Sequence, residues 1–348
     1  MGQKLILAAL LLPLAACSSG VGTNPVTGGD TDTGTDTGTD TGTGVDSDGT
    51  RPPGTTSPDA DSAIYRFEPS DGEGSGYATG FSYDSATDTF TVDNLAFDGD
   101  NAYTRDSKVG SLGPFAVYEN ASQFNDSTTG APINQFPHKV IYGVSTNTDA
   151  DGNATTEFAI VRTGAYVGYG FGGFVYQRGG EVVLPTTGQA LYSGDYAALR
   201  DFDGRGGMEY ATGDMQVAID FEDFDAGDGV QGTVSNRRIF DIDGNDITSD
   251  MLTALGAEYG GTFTALPTMT FTVGPGALDA NGELQGGVTS YVPDNTGALK
   301  EYENGTYYGL LSGQNADEIV GVLVVEADDP RFDNVTVRET GGFILYRP

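Results

Sequence analysis

The sequence predicts an all-β fold, in which a β-rich N-terminal subdomain is followed by a C-terminal eight-stranded antiparallel β-barrel. Apolar residues alternate with polar or small ones from Asp214 to Phe221, and again over Val230–Phe240 after an Asp-Gly turn. A period of two is typical of half-buried strands. The same search gives eight segments in the C-terminal half: 189–197, 214–222, 229–240, 262–273, 283–291, 304–312, 318–326 and 340–347. Eight strands make a closed barrel that its own side chains fill, and closure leaves no open edge.

The start of the chain has the pattern of a bacterial lipoprotein signal. Lys4 precedes the apolar run Leu5–Leu12, and Leu14-Ala-Ala-Cys17 forms a lipobox. A charged start, a short apolar core and small residues before a cleavage point indicate secretion, and this core is shorter than the roughly 20 residues of a membrane span. We expect residues 1–17 to contain the signal and Cys17 to carry the lipid that attaches the protein to a membrane. The alternative is an ordinary signal with an incidental cysteine.

Cys17 is the only cysteine of the chain. Its use as the lipidation site leaves no thiol for a disulfide, a redox pair or a nucleophile.

A low-complexity tether follows the signal. Residues 18–62 consist largely of Thr, Asp, Gly and Ser, including the run TDTGTDTGTDTGTG. Such a segment buries too little apolar surface to offset its ordering entropy, so we expect it to be disordered. As a coil it would hold the fold about 35–40 Å from the membrane. Its repeated Asp residues are also compatible with calcium binding, although a solvated tether is the simpler interpretation.

The charge of the chain restricts its partners. The formal net charge is −34, from 50 acidic and 16 basic residues. Nucleic-acid binding depends on Lys and Arg that neutralise phosphates, so the charge argues against a nucleic-acid partner. It also disfavours direct contact with anionic lipid headgroups, and it favours a basic partner.

The remaining chain is long enough for two domains with apolar cores. We expect a β-rich subdomain over residues 63–185 and the barrel over 186–348, with a break near Leu184-Pro185. Residues 80–92 form a predicted hairpin, and further predicted strands are Phe115–Tyr118, Val140–Val144, Glu157–Ala165 and Phe174–Gln177. The one predicted helix is Ser249–Tyr259, which has helical spacing between a capping Ser or Asp and Gly260.

The C-terminal half, roughly residues 186–348, resembles the C-terminal barrel of transferrin-binding protein B-like lipoproteins. The residues that carry the resemblance are Tyr192-Ser-Gly194, Asp220-Phe221, Gly232, Asn236-Arg237, Gly305-Thr-Tyr307-Tyr308-Gly309, Asn315-Ala-Asp-Glu318, Gly321 and the closing strand Gly342-Phe343 to Arg347. The resemblance implies that residues 63–185 are the handle subdomain that precedes such a barrel. It also implies a binding or partner-presenting role at the outer membrane, in metal or haem acquisition, without implying transferrin as the ligand.

The sequence offers little for catalysis, and we predict no catalytic residues, no cofactor and no metal site. The single histidine, His138, lies in a loop-like stretch. A catalytic triad would need a nucleophile and a carboxylate to converge on it, and no nucleophile-elbow motif is present, so a surface histidine is favoured. Acidic residues are numerous enough for a glycosidase pair, but the chain lacks tryptophan. An exported carbohydrate-active enzyme is therefore kept as an alternative.

Three further patterns have two interpretations each. The loops starting at Asp149 and Asp241 have the Asp-x-Asp-Gly pattern that begins a calcium loop, and hairpin turns favour the same residues. We favour turns. The run Tyr166–Phe174 places aromatics among glycines, as in a partner-binding platform or a core strand. We favour the core.

We predict a lipoprotein on the periplasmic or cell-surface face of the outer membrane that binds a protein or a small ligand. An alternative is a structural periplasmic lipoprotein without a soluble ligand. The barrel interior is expected to be packed, since inward candidates such as Val217, Ile219, Val234, Phe271, Leu323 and Phe343 are apolar. Recognition is then expected in the loops 200–207, 223–229 and 294–299. The candidate residues there are Arg200, Arg205, Asp223, Asp225, Asp228, Asp294 and Asn295.

Overall fold

The computed structural model describes residues 64–348 except 71, 73, 79, 100–101, 223–228 and 272–276. The predicted signal, Cys17 and the tether lie outside the described residues, and so do the candidates Asp223, Asp225 and Asp228. In the described part of the chain, no helix is long and apolar enough to cross a membrane.

The first half of the described chain, which we call the handle, is built on one antiparallel sheet. Its strands are β1 (Ile64–Phe67), β2 (Gly80–Asp84), β3 (Thr89–Asp93), β4 (Ala102–Arg105), β5 (Ser111–Leu112), β6 (Phe115–Asn120), β7 (Gln123–Asn125), β8 (Pro132–Asn134), β9 (His138–Val144), β10 (Thr156–Thr163) and β11 (Gly173–Arg178). Nine of them form the sheet, in the order β1-β11-β10-β9-β6-β4-β3-β2 with β5 attached to β6, whereas β7 and β8 pair only with each other. The predicted hairpin is confirmed as β2–β3.

The second half is a closed antiparallel barrel, as predicted. Its strands are β12 (Gln189–Asp203), β13 (Met208–Asp220), β14 (Val230–Asp241), β15 (Met269–Phe271), β16 (Glu283–Pro293), β17 (Leu299–Ser312), β18 (Glu318–Asp328) and β19 (Thr336–Tyr346). β12 and β19 close the barrel in a continuous register from Ser193↔Tyr346 to Asp203↔Thr336. The prediction that the first and last strands pair is therefore confirmed.

The strand predicted over residues 262–273 begins later than expected, and residues 272 and 273 lie outside the described residues. β15 contains only Met269–Phe271, because Pro267 lacks an amide hydrogen and the ladder begins only after it. The predicted helix forms over Thr248–Tyr259, in the connection between β14 and β15. Its residues Met251 and Leu255 pack with Ile239 and Val292. The predicted Ser or Asp cap is wrong, because Ile247 occupies the N-cap position without a side-chain hydrogen bond.

The barrel interior has an apolar part and a charged part. The six apolar residues that were predicted to point inwards all lie in one buried cluster with Tyr196 and Ala198. Arg200 follows Ala198 on the same face of β12, since alternate residues share a face. Its guanidinium lies 3.5 Å from Glu339 and 3.8 Å from Glu209. The interior is thus packed, but it is not apolar throughout.

A second arginine lies in the charged part of the barrel interior. Arg237 forms ion pairs of 2.7 Å with Glu303 and 3.0 Å with Glu339, and all three side chains are buried. A buried charge is tolerated only when it is paired and hydrogen-bonded, which this arrangement provides.

The handle sheet packs on the outside of the barrel. One buried cluster combines Phe158 and Ile160 of the handle with Tyr308 and Ile344 of the barrel. Two arginines at this boundary form ion pairs within their own halves, Arg162 with Glu68 of the handle at 2.8 Å and Arg338 with Asp201 of the barrel at 2.7 Å. Arg162 also donates across the boundary to the Thr340 hydroxyl of the barrel. Arg338 also donates to Ser75 and to the Gly170 carbonyl of the handle. The two sheets therefore share a core and a buried polar network.

Candidate functional site: an aromatic surface shared by handle and barrel

The connections between barrel strands alternate between two ends. Residues 204–207, 294–298 and 329–335 connect strands at one end, which we call the distal end. The connection 313–317 and the start of β16 lie at the other, proximal end. The first described strand of the handle is tied to the proximal end, because Arg66 forms an ion pair with Glu283 at the start of β16. Arg178, paired with Ile64, donates to the carbonyl of Asn281 there.

A row of aromatic rings runs through the handle to its surface. The ring centroids of Tyr77 and Phe171 are 4.7 Å apart, and Tyr166 lies 4.8 Å beyond Phe171. The row continues through Phe136, 5.3 Å from Tyr166, to Phe97, 4.9 Å from Phe136. Phe97 is 56% exposed, although phenylalanine is usually a core residue. The row therefore leads from the handle core to solvent.

Apolar residues widen the exposed end of this row. Phe124 and Ile133 pair across the β7–β8 hairpin, and they are 36% and 40% exposed. The Cβ of Phe124 lies close to Gly99, two residues after Phe97. Val167, which follows Tyr166, is 68% exposed.

The distal end of the barrel continues the same surface. The Gly204 amide of the β12–β13 turn donates to the Val167 carbonyl at 2.8 Å, which joins this turn to the handle loop. The next residue, Arg205, places its guanidinium 4.0 Å from the ring centroid of Phe332 and 4.7 Å from that of Phe202. We call the following set the aromatic surface: Phe97, Phe124, Ile133, Phe136, Tyr166, Val167, Arg205 and Phe332.

The backbone around Phe97 is strained. Phe97 has φ of 58° and Asn94 has φ of 72°, a left-handed conformation that is unusual for a bulky residue. The Phe136 amide donates to the Phe97 carbonyl at 2.7 Å and fixes the segment. Such strain persists only where the surrounding structure imposes it, and it is concentrated at functional sites.

A buried carboxyl lies directly after Phe97. The Tyr103 hydroxyl donates to Asp98 at 3.2 Å, and burial raises the pKa of Asp98 to about 6. Asp98 is therefore buried in the handle, whereas the neighbouring Phe97 is exposed.

The predicted loop residues fall in different places. Arg205 is part of the aromatic surface. Arg200 is not a loop residue, because β12 extends to Asp203 and places its side chain in the buried charge cluster. Asp294 and Asn295 lie in the β16–β17 turn, and Asn295 adjoins Gly260 after the helix rather than the handle.

The glycine- and aromatic-rich run Tyr166–Phe174 divides into two parts. Phe174 is fully buried in β11, and a Cβ on Gly172 would stand 2.1 Å from the Val161 carbonyl oxygen, so that part is core. Tyr166 and Val167 instead contribute to the exposed surface. The sequence signalled this part of the surface, whereas Phe97, Phe124, Phe136 and Phe332 are scattered along the chain and carried no pattern of their own.

The two Asp-Gly loops are hairpin turns. The Asp149 carboxylate accepts hydrogen bonds from the amides of Asp151 and Asn153, and these bonds lower its pKa. Asp241 accepts from Asp243 and Asn245 in the same way, and hydrogen bonds from Asn245 lower its pKa. Within the described ranges, no group of three or more His, Cys, Asp and Glu side chains is arranged to hold a metal ion.

His138 is not on the surface. It is 1% exposed at the start of β9, and the prediction of a surface loop was wrong because β9 lies inside the handle sheet, between β6 and β10. Its Nδ1 lies 3.0 Å from the Phe136 carbonyl oxygen, and burial lowers its pKa to about 4. The ring is therefore neutral at pH 7 and holds Phe136 in place from below.

Comparisons with known proteins give one kind of similarity. No protein-family model matches the chain, and neither does any curated protein. Solved structures of transferrin-binding protein B do align with it. A double mutant of that protein from Haemophilus parasuis Hp5 is 11% identical over 78% of this chain and 42% of its own, with a TM-score of 0.36. Intact Ap-TbpB, with N and C lobes, is 12% identical over 78% of this chain and 43% of its own, also with a TM-score of 0.36.

The protein from serogroup B Neisseria meningitidis is 13% identical over 82% of this chain and 52% of its own, with a TM-score of 0.31. The chain spans less than half the length of the first two structures. These structures belong to the same family that residues 186–348 resemble in sequence. At these identities and TM-scores the likeness carries no argument about a ligand or a partner, which must come from the side chains of this chain.

Proposed function

We propose that the protein is a non-enzymatic, lipid-anchored binding or partner-presenting module of the outer membrane that docks a partner protein on its aromatic surface. The observation that carries the proposal is the exposure of Phe97 and Val167 on the handle and of Phe332, which lies against Arg205, at the distal end of the barrel. Contiguous exposed apolar residues mark interaction sites. Aromatic residues and arginine are also the types that contribute most to protein–protein binding.

The position of the surface suits presentation away from a membrane. The described chain begins at the proximal end, and the aromatic surface is at the distal end. β12 has 15 residues, which is about 45 Å along the strand, so the two ends of a barrel tilted by about 40° are roughly 35 Å apart. A tether joined to Ile64 would leave the aromatic surface facing outwards.

The charge of the chain supports a basic partner. The net charge of −34 attracts cationic proteins over distances that salt limits to about 10 Å at 0.1 M. We infer that the partner serves metal or haem acquisition, which the resemblance to transferrin-binding protein B-like lipoproteins implies without implying transferrin itself. Growth of a deletion strain on haem or on chelated iron as the only iron source tests that role.

The membrane anchor is tested by Cys17→Ser. Because lipid transfer requires the thiol, this variant should remain uncleaved by the lipoprotein pathway and should not incorporate labelled palmitate. A variant that still gives an acylated mature protein contradicts the anchor, and wild type labelled in parallel is the positive control. Stable anchoring needs more than one acyl chain.

The binding role is tested by capture from the protein's own cells with the detergent-solubilised full chain. We expect a captured protein whose yield falls at least roughly tenfold with Phe97→Ser plus Phe332→Ser, and falls further as salt is raised. Leu191→Ser is the matched control, because Leu191 is 49% exposed on β12 outside the aromatic surface.

Capture that is equal for both variants contradicts the proposed site. No capture by any form favours a structural lipoprotein without a soluble ligand. Hydrolysis of a glycan by the wild type favours the exported carbohydrate-active enzyme.

A further inference from the structure

Among the residues that the structure describes, the β7–β8 hairpin has no partner in either sheet. It pairs with neither the nine-stranded handle sheet nor the barrel, and every residue of Gln123–Asn125 and Pro132–Asn134 is exposed. A two-stranded hairpin is marginal in water, and a third strand gives it independent stability. The hairpin also carries two residues of the aromatic surface, Phe124 and Ile133.

The register shows which edge of the hairpin is free. The Asp126 amide donates to the Ala131 carbonyl, and the Gln135 amide donates to the Ser122 carbonyl. In an antiparallel ladder, hydrogen-bonded pairs alternate with pairs whose backbone groups point outwards. Gln123 and Asn125 therefore direct their amides and carbonyls away from β8, along the outer edge of β7.

The outer edge of β8 is less accessible. Pro132 has no amide hydrogen to offer, and the Phe97 carbonyl already accepts the Phe136 amide just beyond the strand. The edge of β7 also lacks the usual protection against pairing, because Gln123, Phe124 and Asn125 carry no charge and include no proline. The hairpin thus offers one open edge, on the side of β7 that is opposite to the Phe97 carbonyl.

The net charge of the molecule indicates what kind of chain could pair with the outer edge of β7. A second copy of the chain would bring another net charge of −34 to the same edge, and the two copies would repel each other. A basic partner would be attracted. Side chains of an added strand point alternately to either face, so every second one would lie on the face that carries Phe124 and Ile133.

We propose that an extended segment of the partner protein, with alternating apolar residues between basic flanks, adds to the outer edge of β7 as a third strand. This inference rests on the proposed function and specifies how the partner is held. The backbone of Gln123 and Asn125 would supply the hydrogen bonds, and the aromatic surface would accept the apolar side chains.

The experiment uses a random-peptide display library, selected on the detergent-solubilised full chain and counter-selected on Phe97→Ser. We expect the selected peptides to be free of proline, with alternating apolar residues and Lys or Arg at the ends. Each peptide is then synthesised in two forms, with backbone N-methyl groups on either the odd-numbered or the even-numbered residues, because the amides of alternate residues point to opposite edges of a strand. Methylation of one edge should abolish binding and methylation of the other should leave it unchanged, and bound peptide should slow hydrogen exchange at the Gln123 and Asn125 amides.

Two variants provide the matched comparison. Asn125→Pro removes one outward donor from β7 and should weaken peptide binding roughly tenfold, whereas Asn134→Pro removes an outward donor from β8 and should change it less than about twofold. Binding that tolerates methylation of either edge overturns strand addition, while the aromatic surface remains a docking site. This outcome is read on wild type alone, so it does not depend on the folding of either variant. If no selected peptide distinguishes wild type from Phe97→Ser, the proposed function fails as well.

Discussion

Two tyrosines inside the barrel show that the contribution of a buried hydroxyl group to stability depends on whether it has a hydrogen-bond partner. The Tyr196 hydroxyl donates to Glu339 at 3.0 Å. The Tyr307 hydroxyl is buried and has no hydrogen-bond partner in the described part of the chain, although its ring stacks on Phe271 at 3.7 Å. Burying a polar group without a partner costs free energy, whereas a hydrogen bond to a charged group stabilises.

Removal of the two hydroxyls should therefore have opposite effects. Tyr307→Phe should leave the free energy of unfolding unchanged or raise it by up to about 1 kcal/mol. Tyr196→Phe should lower it by about 1–3 kcal/mol, since Glu339 loses a donor. Urea titrations of both variants and wild type measure the difference. A loss of stability in Tyr307→Phe as large as in Tyr196→Phe contradicts this account of the interior.

The position of Arg200 was predicted wrongly because its ion-pair partners could not be known from the sequence. Arg200 was predicted to lie in a loop because the strand pattern fades after Ala197. Its position in the barrel depends on Glu209 and Glu339, and Glu339 is far along the chain. A buried charge can be recognised only when its partners are known, and the sequence alone does not reveal which residues face each other.

At the scale of elements, alternation predicted the barrel strands well and their ends poorly. Strands such as β13 and β14 bury one face and expose the other, so their period is visible in the sequence. β12 buries every residue from Tyr196 to Phe202 because the handle covers its outer face, and that part has no alternation to detect. Because the handle sheet packs on the barrel there, both faces of β12 are buried and its sequence does not alternate between apolar and polar residues.

Closure of the barrel gives a prediction for the last strand. Deletion of residues 341–348 removes the partners of Ser193–Ala198 and the buried side chains of Phe343, Ile344 and Leu345. Each such side chain contributes about 1.5–3 kcal/mol, and a domain has only about 5–15 kcal/mol in total. We expect the truncated chain to lose its cooperative thermal transition.

The matched control for this deletion removes only residues 347–348, which lie outside the β12–β19 register. It should unfold within a few degrees of wild type in the same calorimetric experiment. A deletion of 341–348 with the wild-type transition contradicts a barrel that depends on its last strand.

At the scale of the whole molecule, the candidate site exists only because handle and barrel are joined. Phe97, Phe136 and Tyr166 come from the handle, and Arg205 and Phe332 come from the barrel. The shared core and the hydrogen bonds from Arg338 to Ser75 and to the Gly170 carbonyl bring these segments together. The sequence predicted both halves, named Arg205 in a recognition loop, and gave the run with Tyr166 and Val167 as a partner-binding platform only in the less favoured of two interpretations. It could not predict the surface itself, because no local pattern links segments this far apart.

The measurement that tests the central claim most directly is photo-crosslinking in living cells. A photoreactive phenylalanine analogue is placed in the full chain at Phe97, Phe124, Phe332 or, as the control, at the exposed Leu191 of the barrel wall. A partner docked on the aromatic surface should give the same cross-linked protein from the first three positions and none from Leu191. Equal cross-linking from Leu191, or no adduct from any of the three surface positions, would contradict the account.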